Sequence, residues 1–374
     1  MADQFYQKST LRFRDKFLLL DYQLIFYILI LGIISVFAMY STEMGTVGYY
    51  TQSHIYRFVV FFILFIIISF FQINFWHKLS YFFYFVVLLL LIAVHFYGIT
   101  SSGSQRWISL VIFNLQPSEL MKIALIIFLS RYYNKIPSND VNHIKFLIIP
   151  VFVIFFPLAL ITAQPDLGTA LLITMAGLSV IWLAGFKLRY FLFSFIIMVC
   201  LAPVAISFLK PYQKARILTF LNPERDPLGA GYQIIQSKIA VGSGGIFGKG
   251  FLRGSQNYLD YLPEKHTDFI FTLFSEQFGF VGSFLLLIIY ALIIYRIIKI
   301  GLDSRNNFSK LFCFGFAASF FIFVAVNMSM VLGLLPIVGA PLPIMSYGGS
   351  SLLSIMIGLG IVMSCKVHRQ EVVN

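Results

Sequence analysis

Apolar runs close to 20 residues long recur from one end of this chain to the other. Each matches the roughly 30 Å of hydrocarbon in a bilayer, crossed as a helix at about 1.5 Å per residue. With 59% hydrophobic and 11% charged residues and a mean hydropathy of +0.87, the chain has too little polar surface to enclose a soluble core. The expected fold is an all-α polytopic membrane protein.

Ten transmembrane helices are predicted: Tyr22–Tyr40, Tyr56–Gln72, Leu79–Gly98, Ser118–Tyr133, Ile144–Thr162, Leu167–Gly185, Leu188–Phe208, Thr267–Ile298, Phe308–Leu332 and Met345–Cys365. The fourth is short and carries Glu119 and Lys122 in its first turn; the eighth is long enough to tilt. Basic residues sort by side. Lys8, Arg12, Arg14 and Lys16, then Lys78, then Arg131, Lys135 and Lys145, then Lys187 and Arg189, then Arg296, Lys299, Arg305 and Lys310, and finally Lys366 and Arg369 occupy alternate loops and the tails. Placing them inside puts both termini in the cytoplasm. The opposite loops hold few cations, chiefly Arg57 and Arg106.

The chain reads as a single membrane domain over residues 1–374. It has cytoplasmic tails at 1–21 and 366–374 and a large extracytoplasmic loop, 209–266, between helices 7 and 8. The net charge of +12 is spent on these topology signals, so no nucleic-acid partner is expected. Cys200, Cys313 and Cys365 lie in apolar segments and suggest no disulfide framework. Residues 1–21 lack the layout of a cleaved signal peptide, which leaves insertion to the first span.

This topology collects four polar stretches on the outer face: Ser101–Lys122, Gln164–Thr169, Leu209–Asp268 and Gly333–Ser351. Within the large loop, Tyr232–Val241 has the spacing of an amphipathic helix suited to the interface plane. Gly242–Gly250 is glycine-rich but departs from the nucleotide-binding pattern, with Ser243 and Gly250 at two required positions. It reads as a flexible loop over a ligand or as a plain turn.

Pro117–Ser118 marks a helix start with Ser118 as cap, and Glu119 and Lys122, three apart, either pair with each other or serve a ligand. Arg106 and Lys122 offer positive charge to an anionic headgroup. Asp166 fits a helix cap, and Gly348, Gly349 and Ser350 allow close backbone approach. The most concentrated charge lies in Leu262–Phe271: Glu264, Lys265, His266 and Asp268, with Glu276 further on. One charged residue at the centre of a membrane helix costs about 2.5–3.5 kcal/mol, so several at a boundary imply use. Thr267 or Asp268 can cap the eighth helix, but Glu276 lies about 80° around and about 12 Å along from Asp268 and no cap explains it. The residues alone support carboxylate acid–base work or ion coupling.

Together these stretches resemble the SEDS family of membrane glycosyltransferases, from Arg106-Trp107-Ile108 to the last span. The run Asn222-Pro223-Glu224-Arg225-Asp226-Pro227 through Lys238, the stretch Leu262–Phe269, and Gly333–Gly339 with Pro341-Leu342-Pro343 are most similar to the elongation branch, RodA. The division branch, FtsW, usually carries a lysine near Val338. The resemblance implies an inverting peptidoglycan glycosyltransferase that polymerises lipid II into β-1,4 glycan. Asp268 would be its catalytic general base, with Arg106, Lys122, Glu119, Asp166, Lys265, His266 and Thr267 around the substrate. It further implies a class B penicillin-binding transpeptidase and other elongation-complex proteins as partners in the bacterial inner membrane. No cofactor is legible beyond a divalent cation such as Mg2+ at the diphosphate. A lipid-II flippase, an ion-coupled transporter and a scaffold remain the alternatives.

Overall fold

The computed structural model describes residues 13–101, 104–110, 113–137, 140–193, 196–197, 200, 211–225, 230–258 and 264–371. Lys8, Arg12, Gly103, Asp226, Pro227, Leu262 and Pro263, together with most of the second half of the predicted seventh span, lie outside them.

A short helix, α1 (Phe13–Leu18), precedes α2 (Tyr22–Thr42), which begins where Asp21 accepts a hydrogen bond from Leu24 N. The turn after α2 is organised by Glu43. Its carboxylate takes the backbone N–H groups of Gly48, Tyr50 and Thr51 at 2.9–3.1 Å, three donors that the first turn of α3 (Tyr49–Ser69) cannot satisfy internally. Next comes α4 (Ile73–Tyr97). Between it and α5 (Pro117–Asn134) the chain forms a three-stranded antiparallel sheet, β1 (Ile99–Ser101), β2 (Ser104–Leu110) and β3 (Phe113–Leu115). The expectation of an all-α fold is corrected here: the bundle is mostly helical and carries this sheet on one end.

The remaining helices are α6 (Lys145–Ala163), α7 (Leu167–Leu183), α8 (Pro211–Leu221), α9 (Ala230–Ser243), α10 (Ser255–Tyr258), α11 (Ile270–Asp303), α12 (Asn307–Val331) and α13 (Gly349–Val367). Among the described residues, α2, α3, α4, α6, α11, α12 and α13 are long and apolar enough to cross a membrane, and α7 is a shorter apolar helix. Helix α5 is different in kind. Nearly every residue from Pro117 to Ser130 is buried, so it runs through the middle of the bundle, where Glu119 and Lys122 meet protein instead of lipid. Its N-cap is Gln116, which makes no side-chain cap bond, so Ser118 does not cap the helix as expected.

The amphipathic segment is helical, within α9, but it packs inward. Ser237 is fully buried, donating to Val331 O at 2.7 Å and bonded to Thr272 Oγ1 at 2.9 Å, which fixes α9 on α11 and α12.

The bundle has two chemically distinct ends. At one, Lys16 donates to Phe70 O, Arg131 to Lys78 O, Arg296 pairs with Asp21, and Lys366 pairs with Asp303. The other end holds the sheet, the start of α7, the turn before α11 and the Gly333–Gly348 segment. That separation matches the charge asymmetry of the loops.

Candidate active site

Asp268 lies in the turn that leads into α11 and is partly exposed. The helix N-cap is Phe269, without a side-chain cap bond, so neither Thr267 nor Asp268 is consumed in capping. Instead the backbone of the turn is bound from outside. Ser346 Oγ donates to Thr267 O (2.6 Å), Tyr347 N to His266 O (2.9 Å) and Asn327 Nδ2 to Asp268 O (2.9 Å). Asn327, itself fully buried in α12, also donates to Ala340 O at 2.6 Å, tying the turn to the loop before α13.

These bonds hold the backbone and leave the acid free. Among the described residues no hydrogen bond or ion pair engages the Asp268 carboxylate, which lies beside Gly339, where a Cβ would stand 3.7 Å from Oδ2. Burial pushes the Asp268 carboxyl up to about 7. Glu264, Asp166 and Glu119 add to the rise, and Arg216 opposes it. The group is therefore close to half-ionised near neutral pH, the condition that suits a general base.

The other predicted residues form two charge pairs and a stacked turn. Arg106, on β2, spans the start of α7: Nε donates to Gln164 O (3.3 Å), Nη2 to Pro165 O (2.5 Å), and Nη1 lies 3.5 Å from Asp166 Oδ2. Asp166 caps α7 by accepting from Thr169 N, and its carboxyl is raised because burial outweighs the nearby guanidinium. Lys122 Nζ lies 2.6 Å from Glu119 Oε2, both buried, and 3.9 Å from the Phe323 ring centre. The i, i+3 pair is thus made, and Lys122 meets any anion as half of a neutral unit.

His266 Nδ1 is 2.8 Å from Thr42 Oγ1, and its ring stacks on Tyr50 at 4.0 Å. Thr267 Oγ1 donates to Glu264, and Lys265 is buried. Gly348 and Gly349 open α13. Ser350 Oγ accepts from Gln116 N and donates to Asn114 O, locking α13 to the end of β3.

Asn327, Ser346, Tyr50, Tyr347, Arg57 and Arg216 escape the sequence reading of the site. Arg57 lies 4.8 Å from the Tyr347 ring centre and 3.6 Å from the position of a Cβ on Gly349, and among the described residues no carboxylate pairs with it. The sequence reading places Arg57 in an outer loop, whereas it lies within α3; a cation on the side where few others fall was the available signal for it. Asn327, one amide inside an apolar helix, was the other. No group of three or more His, Cys, Asp or Glu residues comes together among the described residues in a way that would hold a metal ion. Glu119 and Asp166 are committed to cations, so among the described residues the donors do not assemble a protein-held divalent site.

The family of cell cycle proteins that groups FtsW, RodA and SpoVE matches residues 17–371. The chain belongs to this family. Peptidoglycan glycosyltransferase MrdB of Escherichia coli K12 is 45% identical over 283 residues, 75% of each chain. A chain from a peptidoglycan synthase complex, solved to describe how polymerization and crosslinking are coordinated, superposes with a TM-score of 0.82 at 31% identity, covering 94% of this chain and 99% of its own. Thermus thermophilus rod shape determining protein RodA superposes at 0.71 with 25% identity, over 94% and 98% of the two chains. As a family member with seven described helices able to span, the protein is a multi-pass protein of the bacterial inner membrane.

Proposed function

We propose that this protein is a peptidoglycan glycosyltransferase that polymerises lipid II during lateral cell-wall elongation. The observation that carries the reading is Asp268: a partly exposed carboxylate, free of partners among the described residues, with its carboxyl near 7 at the polar end of the bundle. The acceptor 4-hydroxyl gives its proton to Asp268 as its oxygen bonds to the donor's anomeric carbon. The bond from that carbon to the pyrophosphate oxygen breaks, and undecaprenyl pyrophosphate leaves with the electron pair. Attack opposite an α-linked leaving group gives the β-1,4 linkage.

Negative charge grows on the diphosphate as the bond breaks, and Arg106 is the cation of the predicted set best exposed to meet it. Lys122 holds Glu119 in place beneath the site. Any divalent cation would bring charge neutralisation to the diphosphate. The reading includes ten spans, both termini in the cytoplasm, a single domain with the 209–266 loop outside, and a class B penicillin-binding transpeptidase as partner.

The test is the purified protein with lipid II, in detergent and in vesicles. Glycan polymer is the expected product, with no transfer of lipid II between leaflets. Leaflet exchange without polymer would replace the reading with a flippase, and neither activity would leave a scaffold.

A further inference from the structure

Two features stay outside the proposed chemistry: the glycine-rich loop and the intramembrane acid Glu276. The structure brings them together. Helix α11 is broken at Gly279, whose φ of 64° and ψ of −159° are not helical. Such a break removes helical partners from carbonyls before it and N–H groups after it, which is costly away from water. Residues Gly244 to Gly250 supply the replacements. Lys249 N donates to Glu276 O and Gly250 N to Gln277 O, both at 3.0 Å; Phe280 N donates to Gly245 O at 2.9 Å and Val281 N to Ile246 O at 3.0 Å.

The fit requires glycine. A Cβ on Gly248 would stand 2.1 Å from Gln277 O, one on Gly244 2.3 Å from Ser275 O, and one on Gly279 2.3 Å from Gly248 N. The loop is therefore a clamp on α11, not the flexible cover its composition suggests. Glu276, fully buried, locks it: Oε1 lies 2.7 Å from Lys249 Nζ and accepts from Ser255 Oγ at 3.0 Å and from Gln256 N at 3.2 Å.

Resting on the glycosyltransferase reading, we infer that Lys249 and Glu276 are positioning residues for Asp268, acting by holding the glycine-rich loop in the α11 break. The segment Ile270–Phe278 is the lever between break and acid. Eleven residues separate Gly279 from Asp268, roughly 16 Å at helical rise, so a change of angle at the break is amplified at Asp268 and works against the bonds that Asn327, Ser346 and Tyr347 make to its turn. A 1 Å misplacement of a reacting group can cost about 10²-fold in rate.

The test is steady-state polymerisation by full-length Lys249→Met, with Asp268→Asn in parallel. Lys249→Met is expected to lower the melting midpoint, because it leaves the buried Glu276 unpaired. Assayed below that midpoint, where it is folded, it is expected to lower kcat at least about tenfold and leave KM within about twofold, with Lys249→Arg restoring kcat. Wild-type kcat in folded Lys249→Met, or a change confined to KM, overturns the inference. If Lys249→Met does not accumulate, Ser255→Ala carries the same test, with a fall in kcat expected and unchanged kcat overturning. Polymer from Asp268→Asn at the wild-type rate would strike the glycosyltransferase site itself. An inactive Asp268→Asn beside a fully active Lys249→Met would strike the clamp alone.

Discussion

Replacing Asp268 with asparagine is expected to lower polymerisation of lipid II by about 10²–10⁴-fold while the protein stays folded. The substitution keeps the shape of the side chain and removes only its capacity to take a proton. Folding should survive because the turn is held through backbone oxygens, by Asn327, Ser346 and the Tyr347 N–H, and none of these bonds uses the carboxylate. The neutral amide also relieves repulsion from Glu264, Asp166 and Glu119. A melting midpoint at or above wild type, together with loss of polymer, is the expected pair of results. A fall in midpoint that accounts for the lost activity would make Asp268 a structural residue.

The second large effect belongs to Lys122 and Glu119. Both are buried in the central helix and paired at 2.6 Å. Lys122→Met leaves Glu119 with an uncompensated charge in a low-dielectric interior, and breaking a buried pair from one side costs about 3–5 kcal/mol. Lys122→Met with Glu119→Leu removes both charges and should recover most of that stability, since a well-packed apolar pair is often as stable as the ion pair it replaces. Thermal or denaturant unfolding in detergent measures the cycle. Activity should not return with stability, because the double variant also deletes the charge beside Asp166 and Asp268. Full activity in a stable double variant would confine the pair to packing.

The helical runs, the sidedness of the charges and the acid at the head of α11 were legible because each is written locally: in hydropathy over 20 residues, in loop composition, or in one carboxylate beside an apolar segment. The Glu119–Lys122 pair was equally local, three residues apart on one helix. Contacts over long sequence separation were not legible. Arg106 meets Asp166 across 60 positions and His266 stacks on Tyr50 across 216, and nothing in either segment specifies its partner. The sheet from Ile99 to Leu115 was hidden because its strands are short and read as isolated motif residues. The glycine-rich loop misled for a physical reason: the freedom that makes glycine flexible in a free loop also lets it pack backbone to backbone inside a broken helix.

The most direct test of Asp268 as general base is the pH dependence of polymerisation. The ionised form is the active one, and its fraction falls as pH drops through the raised value near 7. The wild-type rate should therefore rise through pH 7 and, at about pH 6, stand at roughly a tenth of its plateau. Glu264→Gln, which removes the largest charge contribution to that rise, should move the limb to lower pH. A limb near 7 that is displaced by Glu264→Gln and absent from the residual rate of Asp268→Asn is the predicted result. A flat profile between about pH 5.5 and 8.5, or a limb that survives in Asp268→Asn, would contradict it.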